Sequence, residues 1–158
     1  MAGLPISFVN EQQKKVTLLG DSIRMGYQWY VSLFLEKRAE VWGPEENTLH
    51  TVRVLLHAHQ WIRDQAFDII HLNAGLHDIK CIPYGSRKNL IPLQQYAENI
   101  RRLIRYIHQV NPQAIIIWAT MTPVLDEKAN QAHAEAEDFT RYNEDVINKI
   151  EHFGFIPW

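Results

Sequence analysis

VTLLGDSIR, residues 16–24, decides how the chain is read. A mostly apolar run, VTLL, ends abruptly in Gly20, Asp21 and Ser22, and an amphipathic pattern begins directly behind it. The apolar run predicts a short buried strand, Gly20 a tight turn, and Asp21 or Ser22 the cap of a following helix. Ser22 therefore stands where a strand gives way to a helix N-terminus. The positive end of a helix and its unpaired N–H groups can support an anion there. Locally, two readings stay open: Ser22 as a nucleophile, and Ser22 as a helix cap and nothing more.

Working outward, Ile23, Tyr27, Tyr30, Val31, Phe34 and Leu35 recur at helical spacing and predict helix one. Val41 and Trp42 form a short second strand stopped by Gly43 and Pro44, and Asn47 or Thr48 is placed to cap helix two. Val52, Leu55, Leu56, His59 and Ile62 share a face of that helix. Residues 67–72 are nearly continuous in apolar character and predict a central strand covered on both sides. A loop is expected over 81–92, a strong helix from Tyr96 to Ile107 closed by Asn111 and Pro112, and a fourth strand over 114–119. Phe139, Tyr142, Val146, Ile147 and Ile150 mark a last helix, and 155–158 begins like a fifth strand.

Strands alternating with helices at this spacing imply right-handed crossovers and a doubly wound parallel α/β sheet. Ligands bind such sheets beyond the carboxyl ends of the strands. Those ends carry Gly20, Asp21 and Ser22 after strand one, 43–47 after strand two, Asn73, Gly75, His77 and Asp78 after strand three, and Thr120, Thr122 and Pro123 after strand four. The four polar clusters share one rim, which favours a chemical role for Ser22 over a cap.

The 158 residues suffice for one domain, 1–158, burying roughly 68–70% of its unfolded surface. A formal net charge of −2 gives no field that argues for nucleic acid, and the basic run at 101–105 reads as a solvated helix face. A single cysteine, Cys81, rules out an internal disulfide and suits a reducing compartment. The first 15 residues lack the apolar run of a secretory signal, and the longest apolar stretch, 114–119, is far too short to span a bilayer. A cytoplasmic protein with no membrane partner is the expectation. Neither a G-x-G-x-x-G nor a P-loop follows strand one, the G-x-S-x-G elbow is missing, and the histidines lack zinc spacing; no metal or cofactor is expected.

GDSIR at 20–24 and GLHD at 75–78, at the ends of strands one and three, resemble the first and third blocks of the SGNH (GDSL-like) hydrolases. QYAENIRRLI at 95–104 and TPV at 122–124 are also similar to that family's habits. The resemblance implies a three-layer flavodoxin-like fold and an esterase acting on a small-molecule or carbohydrate ester, such as an O-acetyl group. It implies Ser22 as nucleophile, with its own N–H as one oxyanion donor and Asp21 holding the turn. The second-block donor, a glycine N–H in the family, aligns with Leu49, or less well with Gly43. The third-block asparagine is His77 here, whose N–H can also donate to an oxyanion. The plainer reading of His77 is a loop histidine bonded to Asp78. Gly20, Asn73, Gly75 and Asp78 would shape the turns and pocket, and Arg24 would meet either an anionic substrate group or an acid on its own helix.

The family's last block, Asp-x-x-His, supplies the general base and has no counterpart here. His133 and His152 are preceded three residues earlier by Asn130 and Lys149. A serine without its base is a poor nucleophile, so these residues alone are expected to be impaired. Three explanations stand: a truncated chain with its closing strand and helix missing, a non-catalytic ligand-binding relative, or a substitute base such as His77. On the first, strand four would keep an open edge and invite a homo-oligomer.

Overall fold

The computed structural model describes residues 13–80, 89–121 and 141–144. Its elements run β1 (Lys14–Leu19), α1 (Ser22–Leu35), β2 (Ala39–Trp42), α2 (Thr51–Ile62), β3 (Ile69–Asn73), α3 (Leu93–Val110) and β4 (Ile115–Ala119). The four strands form one sheet in the order β2-β1-β3-β4, and every pairing is parallel. The doubly wound α/β arrangement expected from the alternation is the one observed. With β1 and β3 adjacent and Leu19 in register with Leu72, the segments that follow both strands leave the sheet at the same edge.

The pleat explains the two layers of helix. Leu19, Ile70, Leu72, Ile116 and Trp118 pack with α2 and α3 in the larger core. Val16, Leu18 and Ala39 pack with Tyr27, Val31 and Leu35 of α1. On α3, Tyr96, Ile100, Leu103, Ile104 and Ile107 are all buried, at the period of one helix face. Asn111 joins this layer to the sheet: its amide donates to Ile62 O at 2.9 Å and its Oδ1 accepts from Phe67 N–H at 2.9 Å.

That bond corrects one boundary. Phe67 gives its N–H to Asn111 instead of to a neighbouring strand, so β3 begins at Ile69, later than the apolar run suggested. Helix α1 also departs from its pattern. Tyr27, Val31 and Leu35 face the sheet, whereas Ile23, Tyr30 and Phe34 of the same apolar set are exposed, together with Met25, Trp29 and Leu33. Arg24 is the one fully buried residue of α1. Strand β4 pairs with β3. The fifth strand at 155–158, the TPV segment, Cys81, His133 and His152 lie outside the described residues; of the predicted last helix, 141–144 is helical. Among the described residues no helix is long and apolar enough to cross a membrane.

Candidate active site

The end of β1 is tightly fitted. A Cβ on Gly20 would lie 2.7 Å from Arg24 Cβ and 3.4 Å from Asn73 Cβ, so only glycine admits this approach of α1 to the sheet. Asp21, almost fully buried, is the N-cap: its Oδ1 accepts from Ile23 N–H at 2.9 Å. The capping role therefore falls to Asp21, and Ser22 is the first helical residue, exposed to solvent. A first-turn N–H has no intrahelical acceptor. Among the described residues, neither the N–H nor the hydroxyl of Ser22 has a hydrogen-bond partner.

Arg24 pairs with no acid on its own helix. Its guanidinium is buried and clamps backbone: Nε donates to Gly20 O at 3.3 Å, one terminal nitrogen to Pro44 O at 2.8 Å and Gln28 Oε1 at 2.5 Å, the other to Glu46 O at 2.6 Å. Desolvation lowers its pKa, and the nearby Tyr27 and Asp21 partly restore it. Arg24 fastens the β2 loop to α1.

The β2 loop then crosses toward Ser22. Gly43 is buried, and a Cβ there would come within 2.7 Å of Leu18 O, so its glycine serves packing. Thr48 N–H donates to Gly20 O at 3.2 Å, which brings the loop against the β1 turn. Leu49 has φ +55°, the left-handed conformation that favours glycine and costs another residue about 1–3 kcal/mol. Its N–H, the expected second-block donor, goes to Asn47 Oδ1 at 2.8 Å. The cap of α2 is neither Asn47 nor Thr48 but His50, whose Nδ1 accepts from Arg53 N–H at 3.2 Å. The pKa of His50 is lowered by burial first, then by His77 and Arg53.

After β3, Asn73 Nδ2 donates to Ala119 O at 3.3 Å and Tyr96 OH to Ala74 O at 3.1 Å. Gly75 has φ +146°, and a Cβ on it would collide with Met121 Sδ. The turn closes through Asp78 N–H to Gly75 O at 2.8 Å. Asp78 is fully buried, accepts Thr51 N–H at 3.1 Å on both oxygens, and also accepts the Thr51 hydroxyl. Asn99 Nδ2 donates to that hydroxyl oxygen at 3.0 Å. Burial pushes the Asp78 carboxyl up to about 7, while the Thr51 bonds pull it the other way. Asp78 is therefore bound to the start of α2, and its carboxylate has no bond to His77 among the described residues. His77 itself is half-buried.

Two cross-loop bonds, Thr48 to Gly20 and Thr51 to Asp78, thus gather Ser22, Leu49, His50 and His77 at one edge of the sheet. His50, Thr51 and Asn99 escaped the sequence reading. The only local signal was a histidine directly before the periodic helix at Thr51, and histidine is not a favoured cap. No group of three metal-ligating side chains occurs among the described residues.

No family model matches the sequence, and no curated protein matches it by sequence. Solved structures do match in shape. An acetyl xylan esterase superposes with a TM-score of 0.73 at 14% identity, over 90% of this chain and 75% of that one. A GDSL-like lipase from Bacteroides thetaiotaomicron gives 0.73 at 13% identity, over 91% and 67%. An acetyl xylan esterase from Geobacillus stearothermophilus gives 0.68 at 13% identity, over 91% and 75%. With its β2-β1-β3-β4 parallel sheet and these superpositions, this protein has the fold of the SGNH, or GDSL-like, hydrolases.

Proposed function

We propose that the chain is an ester-hydrolysing scaffold in which Ser22 is the nucleophile. The Ser22 hydroxyl oxygen attacks the ester carbonyl, the alcohol leaves with a proton, and water then cleaves acyl-Ser22 to release the acid and restore the hydroxyl. One observation carries this reading: Asp21 does the capping, which leaves Ser22 exposed at the first position of α1 with its own N–H unused among the described residues. The Ser22 N–H and a His77 ring N–H are the proposed oxyanion donors; removing one such donor costs about 2.7–4 kcal/mol of transition-state stabilisation. The substrate is proposed to be a small or carbohydrate acyl ester, because two of the structural neighbours are acetyl xylan esterases. Serine acyl transfer of this kind calls for no metal or cofactor.

The general base of the family's Asp-x-x-His block has no counterpart within residues 1–158. Without a triad member, binding and oxyanion stabilisation leave about 10³–10⁴ over water, so turnover by these residues alone is slow in this reading. The test is labelling by a fluorophosphonate alongside hydrolysis of p-nitrophenyl acetate. Labelling at Ser22, lost with the slow turnover in Ser22→Ala, supports the reading. Labelling that persists in Ser22→Ala removes Ser22 from the mechanism. No labelling, even in a chain extended by a segment carrying Asp-x-x-His, overturns catalysis in favour of a non-catalytic ligand-binding relative of the same fold.

A further inference from the structure

The position that should present a backbone donor to the oxyanion, Leu49, has its N–H turned to Asn47 Oδ1 at 2.8 Å. The next residue offers a replacement. His50 caps α2 through Nδ1, which accepts Arg53 N–H at 3.2 Å. A neutral imidazole has one N–H and one acceptor nitrogen. With Nδ1 accepting, the proton must reside on Nε2, so the cap fixes the tautomer and makes Nε2 a donor. Among the described residues Nε2–H makes no hydrogen bond to another residue, and the ring is only partly buried.

Its location follows from the bonds on either side. Thr48 N–H to Gly20 O at 3.2 Å fastens one flank of the Leu49–His50 pair to the turn that leads into Ser22. Thr51 N–H to Asp78 at 3.1 Å fastens the other flank to the turn that carries His77. We propose that His50, through Nε2–H, is an oxyanion donor of this site, taking the part that the Leu49 N–H gives up to Asn47. The inference rests on the Ser22 reading above and adds a catalytic residue to it. The ligand class is a tetrahedral anion bound to Ser22. Burial first, then His77 and Arg53, disfavour a charged His50, against an opposing bond to its own backbone, and so favour the neutral, capped ring.

The experiment uses an arylboronic acid, which adds its boron to a serine oxygen and becomes a tetrahedral anion, with the full chain as protein. Serine is a better N-cap than histidine but lacks the Nε2 donor, so His50→Ser keeps α2 capped and removes only the proposed contact. Expected results are Ser22-dependent boronate binding, weakened 10²–10³-fold in His50→Ser with the thermal midpoint retained. Long-range ¹H–¹⁵N spectra should show His50 as the Nε2–H tautomer, with that proton moving downfield in the adduct. Failure of the wild type to bind, or equal binding by Ser22→Ala, overturns the esterase reading and this inference with it. Ser22-dependent binding that His50→Ser leaves unchanged, or a His50 ring protonated at Nδ1, overturns this inference alone.

Discussion

Replacing Arg24 with methionine separates a structural clamp from a substrate contact. Methionine keeps an unbranched apolar stem against the sheet and deletes every guanidinium bond. Gly20 O retains a donor, because Thr48 N–H also reaches it at 3.2 Å. Pro44 O, whose bond to Arg24 is buried, is left without its donor, a loss of about 1–3 kcal/mol. Glu46 O is only part-buried, so water can replace Arg24 there and the loss is nearer about 1 kcal/mol. Removing a desolvated cation returns some of this, as the lowered pKa of Arg24 implies. The expected destabilisation is therefore at most about 2–4 kcal/mol, read in urea as a lower midpoint at unchanged m-value. Arg24→Lys should fall between, since one ammonium cannot fork to Pro44 O and Glu46 O together. An Arg24→Met protein within about 0.5 kcal/mol of wild type, with ester turnover or ligand affinity as the property that drops, would refute the clamp and return Arg24 to the substrate.

Two further outcomes follow from the third-block turn. Gly75→Ala combines a backbone conformation costing about 1–3 kcal/mol outside glycine with overpacking against Met121 worth about 1–3 kcal/mol. In a double-mutant cycle Met121→Ala should recover the overpacking part, and strict additivity in urea denaturation would contradict the clash. Asp78 gives a pH dependence of definite sign. Its carboxyl is raised by burial to about 7, so between about pH 4 and 7 the native state keeps a proton that the unfolded chain has released. The stability from Asp78 is therefore fully present below about pH 4 and is lost as pH rises to about 7, by at most about 4 kcal/mol. Denaturation midpoints measured from pH 4 to 8 should show that decline in the wild type and a flatter profile in Asp78→Asn; parallel profiles would rule it out.

Much of the architecture was legible from short-range pattern. The apolar run before Gly20 and the periodic helix behind it set β1 and α1, and the alternation that continues downstream set a parallel sheet with its polar clusters on one edge. A strand followed by a crossover helix has few chiral ways to return, so alternation alone constrains the topology. Even the anomaly at Leu49 was visible as a missing glycine, and the backbone there does adopt a glycine-like φ of +55°.

The assignment of individual polar groups was not legible in that way, because it depends on partners far away in sequence. Arg24 looked like a helix-surface cation until Pro44 O and Glu46 O, 20 and 22 residues on, were brought to its guanidinium. Phe67 looked like strand until Asn111, 44 residues later, took its N–H. Asp78 is held by Thr51 across 27 residues, and that bond, with Thr48 on Gly20, sets His50 beside the turn that bears Ser22. Periodicity reports which face of an element is apolar. Which buried donor meets which acceptor is decided only when the chain closes, since an unpaired group in the interior costs as much as many local preferences combined.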